Sequence, residues 1–203
     1  MGYEFELKYT ASPQALAAAN AKLADRWQTI AMETTYYDDP QHRLRKLHYT
    51  LRRRLENGAS ICTLKTPMPD GGRGEWEVAC PSIEAAIEEL CKLGAPQELR
   101  TLTQEGVMPT CGARFTRRAA AVRHNGTVLE IALDEGILFG GSREESLCEL
   151  EVELKEGRKE DAIAFTQAIA ATYGLTPQPK SKVSRAMALA EDALCAGKEQ
   201  PSS

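Results

Sequence analysis

Residues 4–9 read "EFELKY", and the fold turns on which way the charges of this stretch face. Glu4, Glu6 and Lys8 alternate with Phe5, Leu7 and Tyr9. A β-strand sends alternate side chains to opposite faces, so this stretch has one apolar face and one charged face. The same alternation returns in "SLCELEVELKEG" (146–157). There Glu149, Glu151, Glu153 and Lys155 share one face, and Leu150, Val152 and Leu154 the other. Between the two lie more segments of the same kind. "YTLRRRLENG" offers Arg52 and Arg54 before an Asn-Gly turn, and its returning partner "SICTLKTP" offers Lys65 in phase with Ile61 and Thr63. "EWEVAC" (75–80) offers Glu75 and Glu77. A hairpin around Asn125-Gly126, spanning 113–138, offers Arg117 on one arm and Glu130 and Asp134 on the other.

An antiparallel sheet with one wet face also holds charges. Here the signs are segregated by strand: acids at Glu149, Glu151 and Glu153, bases at Arg52, Arg53 and Arg54. Like charges at that spacing repel and need an opposite sign to offset them. A closed sheet meets that need. Its apolar face packs outward on helices, and its charged face lines a bore. Clustered carboxylates there suit hard cations such as Mg²⁺ or Mn²⁺. Clustered Arg and Lys suit phosphate oxygens.

Helices fill the intervals. Ser12 and Pro13 open one over 12–25, Leu44 and Leu47 suit a short one, and Ser82 opens another over 82–94 that Gly94 and Pro96 stop. Two more are expected over 159–173 and 180–194. "PDGGRG" (69–74) is turn material. Strands joined by hairpins with helices inserted predict an α+β fold, an antiparallel sheet with helices packed outside. With no linker in view, residues 1–195 are expected to form a single domain and 196–203 a tail.

The chain has 203 residues, 42% hydrophobic and 27% charged, so it can bury a core. A net charge of −4 argues against a broad nucleic-acid surface, though not against a local basic pocket. No run is long enough to span a bilayer, and no signal peptide is evident, so a cytoplasmic protein is expected. None of the six cysteines forms a C-x-x-C pair, and they read as free, mostly buried thiols. His42, His48 and His124 fall outside the charged stripes.

The N-terminal E-x-E-x-K of Glu4 to Lys8 resembles the signature of the CYTH superfamily, the triphosphate tunnel metalloenzymes. Further segments resemble the family's in order: "TTYYDDP", "LRRRLENGASICTLKTP", "GRGEWEVA", "FTRRAA", the acidic pair "LEIALDEGILFGG" and "LCELEVELKEG", and "KSKVSRAMAL". The acidic pair is most similar to the bacterial inorganic triphosphatases. Such proteins often carry a second helical domain, for which this chain is expected to be too short. Family members often place a lysine two residues before the arginine of the "FTR" strand. Here that position is Phe115, which removes one phosphate contact and leaves the choice of triphosphate open.

The resemblance implies an eight-stranded antiparallel β-barrel, a tunnel with helices packed outside that binds a triphosphate along its bore, with dimers known among such proteins. It implies that Lys8, Arg52, Arg54, Lys65, Arg117 and Lys182, with Lys180 and Arg185, neutralise the phosphates. It implies that Glu4 and Glu6, with some of Glu149, Glu151 and Glu153, hold Mg²⁺ or Mn²⁺. Glu4, Glu6, Lys8 and Lys182 would be catalytic, and Glu75, Glu77, Glu130 and Asp134 would complete the lining. Hydrolysis of inorganic triphosphate leads. A thiamine- or nucleoside-triphosphate phosphatase, a class IV adenylate cyclase, and a non-catalytic polyphosphate- or nucleotide-binding protein remain as alternatives.

Overall fold

Two Asn-Gly pairs set the registers of the sheet. Asn57 and Gly58 have φ of 49° and 88°, and Asn125 and Gly126 have 50° and 83°. Left-handed backbone at both central residues is the type I′ turn, whose twist matches that of a hairpin. The Asn57 side-chain oxygen also accepts the Ala31 N–H at 2.8 Å, tying the first turn to a neighbouring strand. The computed structural model of the chain describes residues 5–68 and 73–198. Glu4 and most of the 69–74 turn lie outside the described residues.

The first turn joins β3 (Thr50–Glu56) to β4 (Ala59–Pro67), and the second joins β6 (Met108–His124) to β7 (Thr127–Gly140). Around them run β1 (Glu6–Thr10), β2 (Gln28–Asp38), β5 (Arg73–Ala79), β8 (Arg143–Glu156) and a two-residue β9 (Thr176–Pro177). All lie in one antiparallel sheet, in the order β5-β4-β3-β2-β6-β7-β8-β1-β9. The eight expected strands are present. Hydrogen bonds do not close them into a strict barrel among the described residues, because β5 and β9 end the ladder unpaired with each other. β9 is too short to carry the ladder further, and its Pro177 has no N–H to donate.

The convex face packs on helices, as alternation requires. α3 (Ile83–Lys92) and α4 (Glu98–Leu102) lay Ile83, Leu90 and Leu99 on Leu51, Cys62 and Leu64. α1 (Pro13–Lys22) and α5 (Lys159–Tyr173) lay Leu16, Ala19 and Ile169 on Leu129, Ile131, Leu150 and Val152, with Phe5 and Tyr9 at the margin. Ser12 and Ser82 cap α1 and α3 through their hydroxyls, as read from the sequence. A one-turn α2 (Arg43–Lys46) follows the β2 corner. α4 and β9, of five and two residues, are too short to show a period in sequence.

α6 (Lys182–Lys198) departs from the expected outer layer. Its Val183, Ala186, Met187 and Ala190 pack on Met32, Tyr36, Phe115, Leu138 and Leu147, on the concave, charge-bearing face of the sheet. Gly140 permits that approach. A Cβ there would lie 2.4 Å from the Ala186 carbonyl oxygen and 2.5 Å from the Ala190 nitrogen. The helix thus fills one part of the concave face and leaves its first residues at the edge of the remaining space.

Candidate active site

That remaining space is a cavity of about 540 Å³. Every long strand contributes to its wall: Glu6 and Lys8 from β1, Arg52 and Arg54 from β3, Lys65 from β4, and Glu75 and Glu77 from β5. Arg117 comes from β6, Glu130 from β7, Glu151 and Glu153 from β8, and Lys182 from the start of α6. Residues from β5 and β1, near opposite ends of the ladder, face one space, so the sheet curls into a tunnel-like fold without a closed hydrogen-bonded ring. Register explains the convergence. Ile30, Arg117, Asp134, Glu149 and Thr10 are successive partners across five strands, and on the neighbouring strand pair Glu151 faces Lys8 and Glu153 faces Glu6.

The acidic wall is an ion-pair cluster. Arg117 donates through Nε and Nη2 to Asp134, both at 2.7 Å, and through Nη2 to Glu151 at 2.5 Å. Lys182 Nζ lies 2.9 Å from Asp134, 2.7 Å from Glu149 and 2.6 Å from Glu151. Arg185 pairs with Glu149 and Glu145. Burial pushes the Glu151 carboxyl up, but Lys182 and then Arg117 outweigh it and hold it at about 2. Burial likewise lowers Lys182 and Arg117, and the surrounding carboxylates raise both above their ordinary values.

The basic wall is less well satisfied. Burial and then the neighbouring Arg54 push Arg52 below its ordinary value. Its nearest carboxylate, Glu75, is 3.8 Å away. Arg54 pairs with Glu56 at 2.9 Å, and Lys65 with Glu75 at 3.3 Å. The Nε atoms of both Arg52 and Arg54 are buried with no hydrogen-bond partner among the described residues. Tyr36 stands near these cations, its phenol pushed up by burial while Arg52, Arg54 and Lys182 act the other way.

The sequence-derived set divides as follows. Asp134 and Glu149 are fully buried and join the ion-pair cluster, outside the residues that line the cavity. Arg185 faces Glu149 and Glu145 instead of the cavity. Lys180 is not brought in. It lies exposed in the turn before α6, where its N–H donates to the Gln178 side chain. Glu4 falls outside the described residues. Arg53, in opposite phase, donates to Ser60 on the other face. The sequence reading passed over Tyr36, Glu56, Arg73 and Ser181, all of which line the cavity. Tyr36 and Glu56 share the phase of Arg52 and Arg54 across the β2–β3 register, so phase alone would have found them. The Phe115 ring centre lies 5.8 Å from the Arg117 guanidinium and 5.6 Å from Lys182 Nζ. It therefore offers π-face contact to both cations.

Asp134, Glu149 and Glu151 can bring one oxygen each within 4.8 Å of one another. An all-carboxylate donor set fits a hard divalent cation. The adjacent Glu6 and Glu153 add further carboxylates on the same face.

A profile of the CYTH domain matches residues 2–187, and the chain belongs to that family. Among curated proteins it is 30% identical over 172 residues to the inorganic triphosphatase of Haemophilus influenzae, a match covering 82% of this chain. The chain spans about half the length of that relative, 49%. Solved structures share the fold. A Bacillus halodurans protein proposed as an adenylate cyclase aligns with a TM-score of 0.60 at 17% identity, covering 90% of this chain and 96% of its own. A Hippeastrum protein described as having a dominant triphosphatase activity aligns at 0.58 and 18% identity, covering 98% of each chain.

Proposed function

We propose that this chain is a metal-dependent hydrolase that cleaves inorganic triphosphate to pyrophosphate and phosphate within the cavity. The observation that carries the reading is the pair Arg52 and Arg54, half-buried side by side on the wall of a charged cavity, each with a buried Nε donor that has no hydrogen-bond partner among the described residues. Guanidinium groups in that state call for a multivalent anion with oxygens to spare. The 30% identity to the Haemophilus influenzae enzyme supports an inorganic substrate.

In this reading Arg52, Arg54, Lys65 and Lys8 hold the phosphate chain along the basic wall, and Arg117 and Lys182 bridge it to the acidic wall. Glu6, Glu151 and Glu153, with Glu4, Glu149 and Asp134, are the carboxylates that would hold Mg²⁺ or Mn²⁺. The bound ion would draw charge from the phosphate oxygens. Phosphoryl transfer asks mainly for positioning and charge neutralisation, so no Ser, Cys or His nucleophile is needed. His42, His48 and His124 are accordingly absent from the cavity wall. Six free cysteines, four of them buried, suit a reducing compartment such as the cytoplasm. Among the described residues no helix is long and apolar enough to cross a membrane.

One observation favours a second reading, an organic triphosphate such as a nucleoside or thiamine triphosphate. Ile30, Met32, Phe115 and Val183 form an apolar part of the wall where such a substituent could rest. Phosphate release from tripolyphosphate, ATP and thiamine triphosphate, each with Mg²⁺ or Mn²⁺ and with a check for cyclic AMP, separates the two. Tripolyphosphate should be cleaved fastest. Arg52→Ala or Arg54→Ala should weaken substrate binding by about 1.5–3 kcal/mol per charge-assisted contact. Binding without turnover for all three compounds would leave a polyphosphate-binding protein instead.

A further inference from the structure

Lys182 sits among Asp134, Glu149 and Glu151, three carboxylates whose oxygens lie close enough together to hold a divalent ion. Its Nζ is within 2.6–2.9 Å of an oxygen from each of the three. Arg117 reaches Asp134 and Glu151, and Arg185 reaches Glu149 alone of the three. Among the described residues only Lys182 contacts all of them. Hard cations sit about 2.0–2.6 Å from carboxylate oxygens, so an ion and this ammonium would claim the same small volume. Lys182 is also on the cavity wall, at the first residue of α6. Its helix is held by Val183, Ala186 and Met187, so the long side chain can turn toward the cavity without moving the helix.

We propose that Lys182 is a tethered competitor for the divalent ion: it closes the Asp134–Glu149–Glu151 group in the free protein and turns to phosphate oxygens when a polyphosphate enters. Metal uptake and substrate uptake are then linked, because each depends on the same ammonium leaving the carboxylates. The inference rests on the reading above for the identity of the anion, but not for the competition itself.

The test is a titration with Mn²⁺ alone, read by electron paramagnetic resonance and calorimetry, on the full chain. Lys182→Met should bind Mn²⁺ about tenfold or more tightly than the parent, a coupling of ordinary allosteric size. Lys8→Met removes a cation from the same cavity that pairs with Glu6 at 3.1 Å, and it should raise the affinity much less. Adding Asp134→Asn to Lys182→Met should take the gain away. An unchanged affinity in Lys182→Met, an equal gain in Lys8→Met, or a gain that survives Asp134→Asn would each overturn the proposal. Stability gives an independent reading. Lys182→Met should unfold at a lower temperature, and Mn²⁺ should restore more of the loss than it adds to the parent. No restoration counts against the competition. The titration uses no substrate, so a parent chain that fails to cleave tripolyphosphate removes the proposed activity and leaves this result standing. An active parent with unchanged metal affinity in Lys182→Met removes only the competition.

Discussion

Glu151 carries two cations on one carboxylate, Lys182 at 2.6 Å and Arg117 at 2.5 Å, and the sign of its shift sets how the cluster responds to acid. Its carboxyl is held at about 2, below an ordinary 4.5. A depressed acid contributes its full stabilisation above the ordinary value and loses it as pH falls through the depressed one. Lys182 is shifted the other way, so its contribution is complete below its ordinary value and is lost only in strong alkali. Glu151 and Lys182 are therefore both charged across the neutral range. Glu151→Gln leaves the half-buried Arg117 and Lys182 short of a partner and should cost about 3 kcal/mol at pH 7. The gap between variant and parent in urea unfolding should close as pH drops from about 4 toward 2. A gap that stays constant over that range would place the loss in packing, not in charge. This residue was legible in sequence because alternation puts Glu149, Glu151 and Glu153 in one phase. What alternation does not show is which of them is covered. Glu149 is 1% exposed and Glu151 9%, a difference made by α6 lying over one end of the stripe.

At the scale of elements, α6 decides how much of the concave face is cavity. The two hairpins and most helix limits followed from period and turn chemistry: the Asn-Gly pairs made the hairpins, and Ser12 and Ser82 made the caps. The side of the sheet taken by α6 did not follow. Its contact residues, Val183, Ala186, Met187 and Ala190, are apolar and would suit either face. The deciding signal was Gly140, where a Cβ would strike the α6 backbone, and a single glycine carries no label in sequence. Gly140→Ala should press α6 away from β7. Overpacking of this kind costs about 1–3 kcal/mol. Hydrogen exchange should then rise across Lys182–Lys198 while the β7–β8 ladder keeps its protection, and Lys182 should lose its fixed position among the carboxylates. Unchanged exchange in α6 would mean that the close contact is absorbed elsewhere.

For the whole molecule, the question is why a chain of net charge −4 would gather basic groups in its interior. The two walls answer separately. The acidic wall is internally compensated, with Lys182, Arg117 and Arg185 all engaged by carboxylates. The basic wall is not, since Arg52 and Arg54 keep buried donors unpartnered and Arg52 lies 3.8 Å from its nearest carboxylate. Folding therefore leaves a desolvation cost on β3 that an anion can remove. The curl of the sheet, which brings β3 to face β1 and β8, is a tertiary property that no single segment encodes. The sequence showed that the charges needed a common space, but not that the ladder would stay open at β5 and β9. Tripolyphosphate without any metal should consequently stabilise the fold through the basic wall alone. At a hundred times its dissociation constant it should add about 2.7 kcal/mol, a rise of roughly 5–10 °C in Tm for a domain of this size. Arg54→Ala should keep the fold and lose most of that rise, and 1 M salt should reduce it less than it would for an exposed patch, because buried pairs are screened less. A Tm that does not move with tripolyphosphate, in a chain shown to be folded, would mean that the arginine pair serves the architecture of the sheet and not an anionic ligand.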